Sequence, residues 1–264
     1  MEGTIAWAVR TSASLPAMAP PAPPPGPGVC SVCRGWARPG YEICYPCALT
    51  MSQVTHPCGR VAVMCVYRAG APMHTLLRDY KDGAARTRAV LGERVAALAG
   101  RFLWRNGPRL APEGWDAVAV IPSTAGREGP HPLEAALARS SWLAPQLSPG
   151  LLRAGSAAGR VAHRRAGDAA FAVAAGRPGA DGAGVDDGAA VDHVLGLRVL
   201  LVDDTWTTGA RAQSAASALT AAGATVAGIA VLGRIVTARP DRPSGAWWDE
   251  HCGPLRRTAK PLRS

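Results

Sequence analysis

The chain has 264 residues, with 29 Lys and Arg against 19 Asp and Glu, for a formal charge of +10. That length fits one α/β domain with a small appendage. No stretch reaches the roughly eighteen apolar residues of a membrane span, and Met1–Arg10 lacks the basic start and apolar run of a signal peptide, so the expected compartment is the cytoplasm. Aromatic residues make up only 5% of the chain while Ala, Gly and Pro are abundant, so a core of Val, Leu and Ala is expected. The basic excess is almost all arginine, with Lys81 and Lys260 as the lysines. Arginine suits planar, bidentate contacts to phosphate. A GC-rich genome produces the same bias, and a solvated basic surface accounts for it equally well.

Residues 1–28 drift into APPAPPPGPG, which predicts an extended, disordered Pro/Ala-rich leader. Met18 is a second candidate start. Two CxxC pairs follow, Cys30/Cys33 and Cys44/Cys47, ten residues apart. Each pair turns tightly enough to offer two thiolates to one tetrahedral Zn²⁺, and together they close a structural Cys₄ site with no open position for catalysis. A disulfide pair and a redox CxxC are the competing readings, the first disfavoured in a reducing cytosol. So short a module, residues 29–60, would draw its folding energy from the metal. Beyond it, Val61, Val63 and Cys65 alternate as in a strand with a buried thiol. Cys58 complicates the count, His56 is a spare candidate ligand, and Cys252 has no partner in sequence.

Val90, Leu91, Val95, Leu98 and Phe102 fall at helical spacing, with Arg94 and Arg101 outside the stripe. Lys81 precedes Gly83 and reads either as a solvated helix entry or as a specific contact. Trp115–Ile121 predicts a buried strand ended by Pro122, and Leu133, Leu137 and Leu143 the apolar side of the next helix. Arg153, Arg160, Arg164 and Arg165 make Leu152–Val173 an Arg-rich loop, either solvated or able to close over an anion. Gly176–Val194 predicts a flexible excursion, and Leu197–Val202 the strand after it.

That strand ends in Asp203 and Asp204, followed by a polar turn from Thr205 to Gly209 and an alanine-rich helix, Arg211–Ala222, stopped by Gly223. An apolar strand, a small hydroxyl-and-Gly turn and a helix build an anion site from unpaired amides and the helix dipole. Thr207, Thr208 and Gly209 suit a phosphate, and two acids just ahead of it suit sugar hydroxyls or a bound Mg²⁺. Thr225–Val236 supplies a further buried strand, and residues 239–264 a Pro/Arg-rich tail in which Trp247 and Trp248 are placed to dock.

LLVDDTWTTGA, Leu200–Ala210, resembles the phosphoribosyl-pyrophosphate (PRPP) motif of type I phosphoribosyltransferases. The resemblance implies that Asp203 and Asp204 contact the ribose hydroxyls and act as the catalytic pair. It also implies that Thr205, Thr207, Thr208, Gly209 and Ala210 wrap the 5′-phosphate, and that Mg²⁺ accompanies PRPP. Arg211 stands where that family usually has a Thr. By the same resemblance the loop after Trp115–Ile121 would hold pyrophosphate, with Ser123, Thr124 and Arg127 as candidates. His131 and Glu134 do not match the family's usual pattern there. A Cys₄ module ahead of a phosphoribosyltransferase motif resembles the ComF family, over about Cys30–Val236. The expected fold is a mostly parallel α/β sheet of the type I phosphoribosyltransferase kind over residues 61–238, with the ligand at the carboxyl ends of the strands. The expected function is binding of PRPP or a related phosphoribosyl ligand, with or without transfer. The alternative is a non-catalytic protein that binds single-stranded DNA or a partner, as in competence and DNA uptake.

Overall fold

The computed structural model describes residues 18–123, 131–161, 165–174 and 193–253. Four strands form one parallel sheet in the order β1-β6-β5-β2: β1 (Val61–Tyr67), β2 (Ala117–Val120), β5 (Arg198–Trp206) and β6 (Thr225–Ile235). A separate antiparallel pair joins β3 (Leu152–Ala154) to β4 (Phe171–Val173). The helices are α1 (Tyr45–Met51), α2 (Pro72–Asp82), α3 (Ala85–Leu110), α4 (Pro132–Leu137), α5 (Ala210–Ala221) and α6 (Pro243–His251). The architecture is thus α/β with a parallel sheet and a four-cysteine cluster near its N-terminus, as expected.

The central strands are apolar on both faces because helices or packed segments cover both. Side chains alternate along them. Leu201, Ile229 and Val231 face α5 and the cysteine segment, whereas Leu200, Val202, Ala230 and Leu232 face α2, α3 and α4. Val95, Leu98 and Phe102 are buried from α3 as the periodicity predicts. Val90 differs: it is 49% exposed, because five residues of helix turn it about 140° away from Val95. Leu133, Leu137 and Leu143 are fully buried, but α4 ends at Leu137, and Leu143 reaches the core after a turn.

Three expectations need correction. The leader is not disordered over residues 18–28. Ala22 donates to the Met64 carbonyl and Val66 donates to that of Pro20, both at 3.1 Å, so this stretch covers the free edge of β1. An edge strand presents unpaired backbone groups, and a proline-rich segment in extended conformation is shaped to meet them. The tail docks Trp247 and Trp248 as expected, against Val29, Val66 and Val236, but it does so from a helix, α6, that its Pro/Arg-rich composition did not announce. Finally, the strand expected to stop at Val202 runs on to Trp206, because β6 stays in register with it as far as the Trp206–Arg234 pair. Most of the Gly176–Val194 excursion and the last eleven residues lie outside the described residues.

Candidate functional site

Extending β5 to Trp206 places both acids on the strand rather than in a turn, on opposite faces of the sheet. Asp203 is 3% exposed and points to the α5 side, where Arg211 Nη2 lies 3.3 Å from its Oδ2. Asp204 is 1% exposed and points to the α2 side, where Lys81 Nζ stands 3.0 Å from its Oδ2 and the Tyr80 hydroxyl donates to the same oxygen. The Asp204 amide in turn donates to Asp203 Oδ1 at 2.9 Å.

The two carboxylates titrate apart. Burial pushes Asp203 up to about 6; the Asp204 charge adds to this and Arg211 opposes it. Burial also acts to raise Asp204, but Lys81, the Tyr80 hydroxyl and Arg211 outweigh it and leave the group below its ordinary value. Arg211 is itself raised, chiefly by the Asp203 charge. Arg211, which stands where the resemblance would put a Thr, is therefore the counter-ion of the first acid.

Beyond Trp206 the chain turns through Thr207, Thr208 and Gly209 into α5. Gly209 has φ +89°, a left-handed conformation, and a Cβ there would come 2.3 Å from the Trp206 ring. The N-cap residue Gly209 offers no side-chain cap, and the Ala210 amide makes only a long 3.5 Å contact to Thr208 Oγ1. A cavity of about 330 Å³ opens here, lined among others by Asp203, Thr205, Thr207, Thr208, Gly209 and Arg211. Ala210 lines it too, so all five phosphate-loop candidates converge on one space with the first acid. Thr205 also accepts from the Tyr67 hydroxyl at 3.3 Å. Val161 closes one side, which brings the Arg-rich segment before it to the cavity's edge. Ser123 follows β2, the neighbour of β5, near the same end of the sheet. Thr124 and Arg127 lie outside the described residues.

The four cysteines come together as the spacing predicts. Their sulfur atoms lie within 4.8 Å of one another, and Cys33 Sγ and Cys44 Sγ are 3.6 Å apart. Edges of that size match a tetrahedron of thiolates about 2.3 Å from a central ion, so the residues fit a structural divalent metal such as zinc. Backbone amides of Cys33 and Cys44 donate to Cys30 Sγ, at 3.5 and 3.3 Å, orienting the ligand. All seven cysteines are free thiols. Cys65 is a core thiol donating to the Leu232 carbonyl at 3.1 Å. Cys58 and His56 instead tether their segment to α5, where their amides donate to Gln213 Oε1 and Ser217 Oγ.

Sequence reasoning missed Tyr80, Thr50, Gln213 and Arg234. Arg234 carried a signal: it is a single charge inside the apolar run of β6. Gln213, Ser214 and Ser217 are fully buried on α5 but look unremarkable in an alanine-rich helix. Among the described residues no helix is long and apolar enough to cross a membrane. Compared with family models and with curated proteins, the chain matches none.

Proposed function

We propose that this protein binds PRPP or a related phosphoribosyl ligand at the β5–α5 turn, as the resemblance to the ComF family implies. The observation that carries this reading is the convergence of Asp203, Thr205, Thr207, Thr208 and Gly209 on one cavity at the carboxyl end of β5. In it, the amides and hydroxyls of Thr207–Ala210 hold the 5′-phosphate at the start of α5. Asp203, on the cavity side, meets the ribose hydroxyls, and Arg211 moves from the carboxylate toward the phosphate as the ligand enters. Asp204 faces the other way and acts through Tyr80 and Lys81, fixing the strand end. Mg²⁺ would supply charge neutralisation on the pyrophosphate, with Ser123, Thr124 and Arg127 as the loop beside it. Zn²⁺ is the proposed occupant of the four-cysteine site, as a structural ion.

If transfer follows, the chain's contribution is positioning and charge stabilisation while pyrophosphate leaves the anomeric carbon. Titration calorimetry of PRPP and of ribose 5-phosphate, with and without Mg²⁺, tests the reading. Binding that depends on Mg²⁺ for PRPP and weakens at least roughly tenfold in Asp203→Asn is expected, the loss of one charge-assisted hydrogen bond. Absence of heat at millimolar ligand refutes it.

One observation favours the alternative reading of a nucleic-acid binder. Arg101, Arg105 and Arg109 line a groove of about 440 Å³ along α3, and Trp104 on the same helix is 49% exposed. Trp104 does not line the groove, but cations that track a backbone and an exposed ring on the same helix are the two elements that single-strand sites combine. Single-stranded DNA affinity that falls steeply with salt, and falls again in Trp104→Ala, is the expected sign. A wild type that binds no DNA at low salt excludes it.

A further inference from the structure

We propose that Arg234 is a positioning residue that ties the four-cysteine cluster to the phosphate loop, making the cysteine module the back wall of that loop. Its functional meaning rests on the phosphoribosyl reading above; the structural tie does not. Arg234 lies on β6 opposite Trp206, and its Nη1 donates to the carbonyls of Trp206, at 3.2 Å, Thr207 and Ile235. The rest of the guanidinium lies against the cysteine turn. A Cβ on Gly35 would meet Arg234 Nε at 3.2 Å, Cys33 Sγ at 3.4 Å and Arg234 Nη2 at 3.6 Å. Nε is buried with no hydrogen-bond partner among the described residues, beside sulfur atoms that carry net negative charge once they ligate a divalent ion. A fixed cation is what such a site lacks, and arginine supplies one that does not deprotonate.

A second tie runs parallel to the first. Thr50, fully buried at the end of the helix that carries Cys47, has its hydroxyl 3.2 Å from the Thr208 carbonyl and shares its one proton between that group and the Pro46 and Cys47 carbonyls of its own helix. Three consecutive carbonyls, of Trp206, Thr207 and Thr208, are thereby held toward the cysteine side. In a planar trans peptide the C=O and the following N–H point in opposite directions. Anchoring those carbonyls therefore turns the amides of Thr207, Thr208 and Gly209 the other way, toward the cavity that these residues line. Successive amides aimed at one space make an anion nest. The cysteine cluster thus preorganises the nest without touching the ligand.

The test is amide hydrogen exchange by mass spectrometry on the full chain, with metal content measured beside it, in wild type, Arg234→Gln, Arg234→Lys and Gly35→Ala. The expected result is that Arg234→Gln retains its metal while exchange rises roughly tenfold at the Gln213 amide, which donates to the loop's Gly209 carbonyl, the factor that goes with one lost net hydrogen bond. β1 and α3 should keep their protection. Arg234→Lys restores the charge but not the fork, so it should recover part of that protection. Gly35→Ala pushes on the guanidinium from the cysteine side and should loosen the same amide by less. It carries the test should Arg234→Gln fail to fold. Unchanged exchange at Gln213 in either variant, or a rise spread evenly over the chain, overturns the proposal. Ribose 5-phosphate binding separates the two claims. If the wild type does not bind it while the variants still loosen the loop, the tie stands and the phosphoribosyl reading falls.

Discussion

On the face of the sheet that carries α2, α3 and α4, the contacts are mainly apolar, with Leu76, Leu103, Leu133 and Leu137 closing over Leu200, Val202 and Leu232 and the Tyr80–Asp204–Lys81 group set at the strand end. On the α5 face, the covering segments are stitched by polar groups. Gln213 holds Cys58 by both its amide and its carbonyl, Ser217 Oγ accepts from the His56 amide and donates to Asp168, and Ser214 Oγ accepts from Gly167. Asp168 in turn accepts from Thr55, so residues 52–58 and 165–170 are clamped to one helix. Apolar contact is non-directional, whereas hydrogen bonds between buried groups fix position. The face with the β5–α5 turn and the cysteine cluster is the one with the denser set of directional contacts.

The largest way to break this contrast is to strip the four-cysteine site of the metal proposed for it. Structural metal binding contributes on the order of 10 kcal/mol to folding such a module. Chelation, or Cys44→Ser, should therefore strip exchange protection first from α1 and from the Gln213 amide, which donates to the Gly209 carbonyl, while α3 keeps its own. Loss of protection on α3 at the same chelator concentration would show the two faces to be one cooperative unit. The converse change is Leu103→Ala on the apolar face, where a fully buried leucine leaves a cavity costing about 2–5 kcal/mol. Urea unfolding should show that loss with ribose 5-phosphate affinity unchanged.

Asp203 gives a pH signature to the α5 face. Its folded value of about 6 exceeds the ordinary 3.8, chiefly through burial, so the folded chain holds this proton more tightly than the unfolded chain does. Stability contributed by the group is therefore lost as pH rises from about 4 through about 6. Relative to Asp203→Asn, the wild type should lose up to about 3 kcal/mol across that window in chemical denaturation. A difference that stays flat with pH would mean Asp203 is not buried as described. The smallest effect belongs to one stitch: Gln213→Ala should cost about 1–3 kcal/mol by unpairing the Cys58 backbone groups. It should also raise exchange locally at residues 55–58 rather than on the apolar face.

The same contrast explains what was legible in the chain. Strands β1, β5 and β6, helix α5 and the buried positions of α3 followed from hydrophobic periodicity, which reports burial. CxxC spacing and the order of strand, acids, TTG and helix placed both clusters. What stayed hidden was polar and long-range. Nothing local marks Gln213 or Ser217 as buried, since their partners lie more than 150 residues away. Nor does the motif reveal that Asp203 and Asp204 face opposite sides, because that depends on β6 extending the pairing to Trp206. Pro20 and Ala22 read as leader because proline-rich composition does not register a neighbouring strand edge.

The most direct test of the central claim is a ¹⁵N–¹H amide titration of the full chain with PRPP and Mg²⁺. The account predicts shifts concentrated at Thr205–Arg211, with Asp203 moving and the α2–α3 face silent. Shifts that avoid the β5–α5 turn, or none at millimolar ligand, would contradict it.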